Sequence, residues 1–145
     1  MKFYLAGPFF TQEQIQTMEQ IEAQAKYQGL NFFSPRIECF CPPSAPVQQR
    51  IESFRMNCEG ILTSNFVLAR IDDFDPGTIW EIGYAYRSEV PVYAFTTVPN
   101  RGLNLMLSQS CKGFIREIPG VFRFFEDMKT KGYSKEAETW NANII

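Results

Sequence analysis

Residues 66–86, with the sequence FVLARIDDFDPGTIWEIGYAY, decide the fold of this chain. The apolar run 66–71 has the composition of a buried strand, and three aspartates and Pro76 follow it. Proline suits the first helical position and Asp75 suits the N-cap, so we predict a helix over Pro76–Ser88. The stretch thus predicts an α/β protein with carboxylates at the C-terminal end of a strand, where open parallel sheets usually place their sites.

The rest of the chain alternates strands and helices in the same way. Hydrophobic patterning predicts further strands at Lys2–Ala6, Asn31–Ser34, Val90–Thr96 and Lys112–Glu117, and further helices from the N-cap Thr11 to Gln28 and at Val47–Ser64, Asn104–Ser110 and Val121–Lys131. The Pro-rich segment Pro35–Pro46 is a predicted loop, long enough to suggest function, and no element is predicted for Gly132–Ile145. The pattern predicts a single domain, residues 1–145, with a doubly wound parallel sheet and helices on both faces.

Composition excludes several classes of function. The chain has 145 residues, a net charge of −2 and no basic run, which argues against nucleic acid as a partner. It has no histidine, which removes Ser-His-Asp and Cys-His systems and most zinc sites. Neither Gly-x-Gly-x-x-Gly nor a P-loop motif occurs, so dinucleotide and P-loop sites are not expected. We expect a protein without metal or cofactor, whose acid–base chemistry relies on Asp, Glu, Tyr, Lys or Cys.

The cysteines and the N-terminus bear on localisation. Cys39, Cys41, Cys58 and Cys111 show no C-x-x-C spacing, and we interpret them as reduced thiols of a cytosolic protein. Cys39-x-Cys41 alone is a weak signal for metal or redox chemistry. Met1-Lys2 leads directly into a strand pattern without a signal peptide, and no apolar run is long enough for a membrane span. The expected location is the cytoplasm, with no membrane partner.

Glu81 is the first candidate for chemistry. The alternative is an exposed glutamate on a solvated helix face, but its helical neighbours from Gly77 to Tyr86 offer no polar face for it to join. An isolated carboxylate in apolar surroundings is costly to ionise, and it can be tuned as a nucleophile or base.

Other candidates surround it. Asp75 has an ordinary alternative as an N-cap, although capping is compatible with ligand binding at a helix N-terminus. Asp72 and Asp73 are weaker, and we expect one of them to be a solvated loop charge. Near the first strand, Gly7 could let a ligand approach the backbone, and the following phenylalanines could stack on a planar ring, although a core strand with a turn explains this segment equally well.

Three segments together resemble the nucleoside 2-deoxyribosyltransferase family: YLAGPFF at 4–10, DDFDPGTIWEIGYA at 72–85, and NLM at 104–106. The resemblance covers nearly the whole chain, and the central motif is the specific one. It implies a flavodoxin-like fold of about five parallel strands. It also implies transfer of 2-deoxyribose between nucleobases, as in nucleotide salvage, by a homo-oligomer whose neighbouring subunits complete each site.

The resemblance also implies roles for single residues. Glu81 matches the nucleophile that forms a covalent deoxyribosyl intermediate, and Tyr4 matches the tyrosine that orients it. Asp75 matches the residue that binds the sugar hydroxyls, and Asn104 matches a sugar-binding residue donated by a neighbouring subunit. The remaining predicted substrate-binding residues are Gly7, Phe9, Phe10, Asp72, Gly77 and Met106, with the two phenylalanines lining the base pocket. This agrees with the residue chemistry, because double displacement at a glycosidic carbon needs one carboxylate nucleophile.

Asn57 departs from the family pattern, which commonly has Asp at this position to assist departure of the base. Asparagine can form a hydrogen bond with a base but cannot donate a proton as a carboxylic acid does. The departure has three explanations: natural variation with another assisting group, a shift of the alignment, or a deliberate substitution that traps substrate.

Two alternatives to a transferase remain. A 2′-deoxynucleoside 5′-monophosphate N-glycosidase needs a phosphate site near the first turn, and no Arg or Lys lies between Lys2 and Lys26. This favours nucleosides, although Arg36, Arg50 and Arg55 could still reach the site. A non-catalytic nucleotide-binding module is compatible with the fold. However, a binding module has little use for an isolated carboxylate such as Glu81.

Overall fold

The computed structural model describes residues 1–141 and 144–145. Its strands are β1 (Lys2–Ala6), β2 (Asn31–Phe33), β3 (Phe66–Arg70), β4 (Val92–Phe95) and β5 (Gly113–Ile115); its helices are α1 (Gln12–Tyr27), α2 (Pro35–Glu38), α3 (Val47–Leu62), α4 (Pro76–Arg87), α5 (Leu105–Ser110) and α6 (Ile118–Lys131). The strands form one parallel sheet in the order β2-β1-β3-β4-β5. The predicted flavodoxin-like α/β fold of five parallel strands is confirmed.

Alternate strand residues face two separate cores. One core packs Phe3, Leu5, Phe66 and Leu68 against helices α1 and α6. The other packs Tyr4, Val67 and Ala69 against helices α3, α4 and α5. Since both faces of each central strand are covered, the strands are apolar runs rather than alternating ones, as buried parallel strands require.

The strand order reverses between β1 and β3. From β1 the chain passes through α1 to β2 on one side, whereas from β3 it passes through α4 to β4 on the other side. The two diverging connections leave a crevice at the C-terminal ends of β1 and β3, which is the usual ligand position in doubly wound sheets. Gly7–Phe10 and Ile71–Asp75 both begin at this edge.

Element boundaries differ most from the predictions near prolines, while β5 covers only the middle of the predicted strand Lys112–Glu117. The expected loop 35–46 begins with the short helix α2, because Pro35 occupies a first-turn position where its missing N–H costs nothing. Helix α6 starts at Ile118 rather than Val121, because Pro119 is likewise tolerated in the first turn. Strand β4 is shorter than predicted and begins at Val92, after Pro91.

The C-terminal segment adds two isolated bridges to the sheet domain. Glu138 pairs with Phe114, and Ile144 pairs with Leu103. Ala142 and Asn143 lie outside the described residues. Among the described helices, none combines the length and apolar character that crossing a bilayer requires.

Candidate active site

Tyr4 and Glu81 meet at the topological switch point. The Tyr4 hydroxyl donates a hydrogen bond of 2.6 Å to Glu81 Oε1, joining the middle of β1 to the second turn of α4. Tyr4 is fully buried, whereas Glu81 is half-buried. Thus one carboxylate oxygen is oriented by the tyrosine, while Oε2 accepts no hydrogen bond from the residues that the structure describes.

The environment of Glu81 makes its carboxylate hard to ionise. Burial raises the pKa of Glu81 to about 7, the hydrogen bond from Tyr4 works in the opposite direction, and the negative charge of Asp75 raises it further. Burial and the charge of Glu81 also raise the pKa of Tyr4, so its hydroxyl stays a donor. The pair is therefore a carboxylate poised near neutral pH beside a permanent hydrogen-bond donor.

The Tyr4 ring is held in place by a neighbouring aromatic ring. It stacks on Phe33 of β2, with ring centroids 5.5 Å apart and an interplanar angle of 9°. The Phe33 ring in turn lies against Gly60 of α3, where an added Cβ would come within 2.9 Å of it. Gly60 is therefore required for this close approach of helix and ring, and the stack fixes the direction of the tyrosine hydroxyl.

Asp75 caps helix α4 with one oxygen. Its Oδ2 accepts hydrogen bonds from the Thr78 backbone N–H at 2.8 Å and from the Thr78 hydroxyl at 3.0 Å. Gly77 makes room for this arrangement, since a Cβ there would lie 3.1 Å from Asp75 Oδ2. The other oxygen, Oδ1, accepts no hydrogen bond within the described part of the chain, so the capping residue keeps an acceptor available for a ligand.

The two remaining aspartates of the acidic turn differ from each other. Asp73 is exposed, as predicted for one of the pair. Asp72 is buried and accepts hydrogen bonds from Arg70, from the Thr96 hydroxyl and from both the N–H and the hydroxyl of Thr97. Burial alone would raise the pKa of Asp72, but the hydrogen bonds from Thr96, Thr97 and Arg70 outweigh it and hold the pKa low. Its expected role in substrate binding stays a prediction, and its observed partners are structural.

Gly7 lies close to two side chains of the protein itself. A Cβ at Gly7 would come within 2.9 Å of the Met18 terminal methyl group and 3.2 Å of Arg70 Cβ. The close approach that requires glycine here is therefore made by the protein's own side chains. Binding of substrate at Gly7 remains a prediction.

The predicted aromatic pair forms part of a cluster of three rings. Phe9 stacks on Phe10 with centroids 5.6 Å apart, and it contacts Phe40 at 6.3 Å. Phe9 is half-buried, whereas Phe10 and Phe40 are largely exposed. The three rings offer an open apolar surface at the crevice, of the kind on which a planar base can stack.

Two thiols, Cys39 and Cys58, lie near Glu81, and the sequence did not predict a role for them at this site. The charge of Glu81 acts on both Cys39 and Cys58, and burial raises the pKa of Cys39 to about 11. The Cys39 thiol donates a hydrogen bond of 2.9 Å to Oδ1 of Asn57, which places Asn57 at the same site. The available signal was the length of the Pro-rich loop that carries Cys39 and Phe40, because long ordered loops are often functional.

The fold and this constellation can be compared with known proteins. The sequence profile of the nucleoside 2-deoxyribosyltransferase family matches residues 3–142. The chain belongs to that family. No curated protein matches it significantly in sequence. Membership indicates a pentosyltransferase-type enzyme acting on small nucleoside substrates.

Solved structures agree with this assignment to the nucleoside 2-deoxyribosyltransferase family. A 2-deoxyribosyltransferase from Bacillus psychrosaccharolyticus superposes with a TM-score of 0.79 at 25% identity, covering 97% of this chain and all of that one. Two further structures show a likeness in fold alone. The former, a conserved protein from Enterococcus faecalis, has a TM-score of 0.59 at 21% identity, covering 90% of this chain and 98% of that one. The latter, a CMP N-glycosidase from Clostridium botulinum, has a TM-score of 0.61 at 12% identity, covering 89% and 99%.

Two residues that the resemblance assigns to the deoxyribosyltransferase site, Asn104 and Met106, form no hydrogen bond with Tyr4 or Glu81 among the described residues. Asn104 is exposed at the start of α5, where its Oδ1 accepts a hydrogen bond from the Leu107 N–H at 3.0 Å. Met106 is 71% exposed. None of the hydrogen bonds found among the described residues connects Asn104 with Glu81, so its sugar-binding role within this family remains a prediction.

Proposed function

We propose that this chain exchanges the nucleobase of a 2′-deoxynucleoside by double displacement through a covalent deoxyribosyl–Glu81 intermediate, with hydrolysis as a side reaction. The observation that carries the proposal is the half-buried Glu81 carboxylate, with one oxygen bonded by Tyr4 and a pKa raised to about 7. Family membership and the similarity to the Bacillus psychrosaccharolyticus enzyme support the same reaction.

Glu81 Oε2 is the attacking atom in this mechanism. It bonds to C1′ of the sugar while the C1′–N bond breaks and its electron pair moves onto the departing base, which takes up a proton. A second base then attacks C1′ through a ring nitrogen, loses its proton, and releases the Glu81 carboxylate. The protons balance over the cycle, and two inversions give net retention, as in retaining glycosidases.

The other residues hold the substrate and its charges. Asp75 Oδ1 accepts a hydrogen bond from a sugar hydroxyl, while Oδ2 remains fixed by Thr78. The Tyr4 hydrogen bond stabilises the ionised nucleophile and the carboxylate that leaves in the second step. Phe9, Phe10 and Phe40 stack on the base.

Nucleosides fit the first turn better than nucleotides do. The hydroxyl of Thr11 accepts from the Gln14 N–H, and Gln14 Oε1 accepts from the N–H groups of Phe10 and Thr11. These backbone donors, which could otherwise bind a phosphate, are therefore already satisfied by the chain. Glu13, in the same turn, accepts hydrogen bonds of 2.9 and 3.0 Å from Arg70, so this guanidinium is already bound to the carboxylates of Glu13 and Asp72.

Completion of the site by a second subunit is also part of the proposal. Apolar side chains on α3, α4 and α5, all on one side of the sheet, are largely exposed: Ile51, Phe54, Trp80, Leu105 and Met106. An exposed apolar surface of this kind marks an interaction site, and it includes the helix that begins after Asn104. We expect sedimentation analysis to give a homo-oligomer.

The decisive experiment incubates the protein with a 2′-deoxynucleoside, with and without a second free base, and separates the products by chromatography. A new nucleoside is the expected result. Release of sugar and base alone would replace the proposal with a hydrolase, and no reaction would favour a binding module. Intact mass after mixing with substrate should show one deoxyribosyl group on the wild type and none on Glu81→Gln.

A further inference from the structure

The inference concerns Cys39 and rests on the proposed base exchange. Cys39 follows α2 in the Pro-rich loop, and Asn57 lies in the third turn of α3. The Cys39 sulfur lies 2.9 Å from Asn57 Oδ1, and both groups are half-buried. The contact joins the loop to α3. The charge of Glu81 acts on the Cys39 thiol, which indicates that this contact lies near the proposed nucleophile.

The direction of this hydrogen bond determines how the amide is oriented. Burial raises the pKa of Cys39 to about 11, and the nearby carboxylates Glu38 and Glu81 add to the rise, so the thiol stays protonated at neutral pH. A protonated thiol can donate through its S–H, and in the structure it donates to the amide oxygen, which is the only acceptor of an asparagine side chain. The Asn57 NH₂ group is therefore the end of the amide that remains available to a ligand.

We propose that Cys39 is a positioning residue that turns the Asn57 NH₂ group toward the departing nucleobase. When the C1′–N bond breaks, its electron pair moves onto the base, and the charge reaches the acceptor next to the glycosidic nitrogen, which is O2 in pyrimidines and N3 in purines. The amide N–H donates a hydrogen bond to that acceptor, and water supplies the proton that the base finally takes up. Stabilising charge that develops in the transition state lowers the barrier without a carboxylic acid at position 57.

The test measures kcat and KM for transfer from 2′-deoxyadenosine and from 3-deaza-2′-deoxyadenosine, which lacks the N3 acceptor. Cys39→Ala should lower kcat for 2′-deoxyadenosine about tenfold, with KM changed less than about twofold, because the lost interaction acts in the transition state. Cys39→Ser keeps a donor and should restore most of the activity. With the 3-deaza substrate, Cys39→Ala should have little effect.

Cys41→Ala is the matched control. Cys41 is a half-buried thiol of the same loop, it forms no hydrogen bond found among the described residues, and its removal should leave both substrates unaffected. In an Asn57→Ala background, Cys39→Ala should lower kcat no further.

The results separate this inference from the proposed function. If the wild type transfers deoxyribose but Cys39→Ala matches it, or slows both substrates equally, the positioning role is overturned while base exchange stands. If the wild type forms no new nucleoside, the proposed function fails first, and the inference fails with it.

Discussion

Asp72 is buried and Glu81 is half-buried near the same edge of the sheet, and their surroundings shift the pKa values of the two carboxylates in opposite directions. Asp72 accepts hydrogen bonds from three residues, including the buried Arg70, and its pKa is held low. Glu81 receives one bond, from Tyr4, lies near the negative Asp75, and has a pKa of about 7. A carboxylate that the protein fully satisfies contributes to stability, whereas one left with an open oxygen and uncompensated charge is available for chemistry.

The largest expected effect is on catalysis at Glu81. Glu81→Gln keeps the shape of the side chain and can still bond with Tyr4, but it removes the proposed nucleophile. We expect the transfer rate to fall by about a thousandfold or more, measured as kcat/KM for base exchange. The variant should remain folded by circular dichroism. Turnover close to that of the wild type would contradict the mechanism.

Asp72 should respond in stability. Asp72→Ala leaves Arg70 without its buried partner, with only the exposed Glu13 still hydrogen-bonded to it, and removes the acceptor for Thr96 and Thr97. The free energy of unfolding should fall by about 3–5 kcal/mol, measured in urea. Asp73→Ala, at the exposed neighbour, is the control and should change it by less than about 1 kcal/mol. Equal effects at the two positions would mean that the buried hydrogen bonds of Asp72 contribute no more to stability than the exposed Asp73 does.

The pH dependence of stability should have opposite signs at the two carboxylates. Folding raises the pKa of Glu81 from its usual 4.5 to about 7, so the folded state binds more protons between these values and stability falls as the pH rises. The loss amounts to at most about 3 kcal/mol. Folding lowers the pKa of Asp72 from its usual 3.8, so its contribution is present above that value and is lost as the pH falls through the folded-state pKa.

Two variants isolate these contributions in urea unfolding across pH. Glu81→Gln should remove the decline between pH 4.5 and 7, and Asp72→Asn should reduce the loss on acidification. If stability depends on pH in the same way in Glu81→Gln and in the wild type, Glu81 ionises as easily as an exposed glutamate.

The smallest effect is expected at Tyr4. Tyr4→Phe keeps the ring and its stack on Phe33 but removes the bond to Glu81 Oε1. We expect kcat/KM to fall about tenfold at neutral pH, because one charge-assisted hydrogen bond is lost. Since that bond lowers the pKa of Glu81, the acidic limb of the pH–rate profile should also move to higher pH. A fall in rate without this displacement would assign Tyr4 a role in packing alone.

Much of the fold could be predicted because its signals are local. Apolar runs, the Asp75 cap and the alternation of strands and helices predicted the order of elements, and the largest errors in element boundaries lie near prolines. Glu81 could be singled out for the same reason, since its isolation is visible within its own helix. The specific motif then gave the family.

The long-range partners could not be predicted, because they depend on side chains brought together by tertiary packing. Nothing in the sequence pairs Cys39 with Asn57 across 18 positions, or Asp72 with the threonines that follow β4. Nor does the sequence indicate that the Met18 methyl group lies close to Gly7, where substrate binding remains a prediction. A glycine pattern shows that something comes close but does not say what.

Because the Phe33 ring lies against Gly60, the geometry proposed for catalysis also depends on a position of α3 that has no proposed chemical role. One methyl group added at position 60 would press on the Phe33 ring, and that ring would press on Tyr4, which donates the hydrogen bond to the proposed nucleophile Glu81. The displacement would change the angle of the Tyr4–Glu81 hydrogen bond rather than remove the bond. We therefore expect the tolerance of a position to mutation to depend on how directly its side chain contacts Tyr4, as well as on how near it lies to the proposed sugar site.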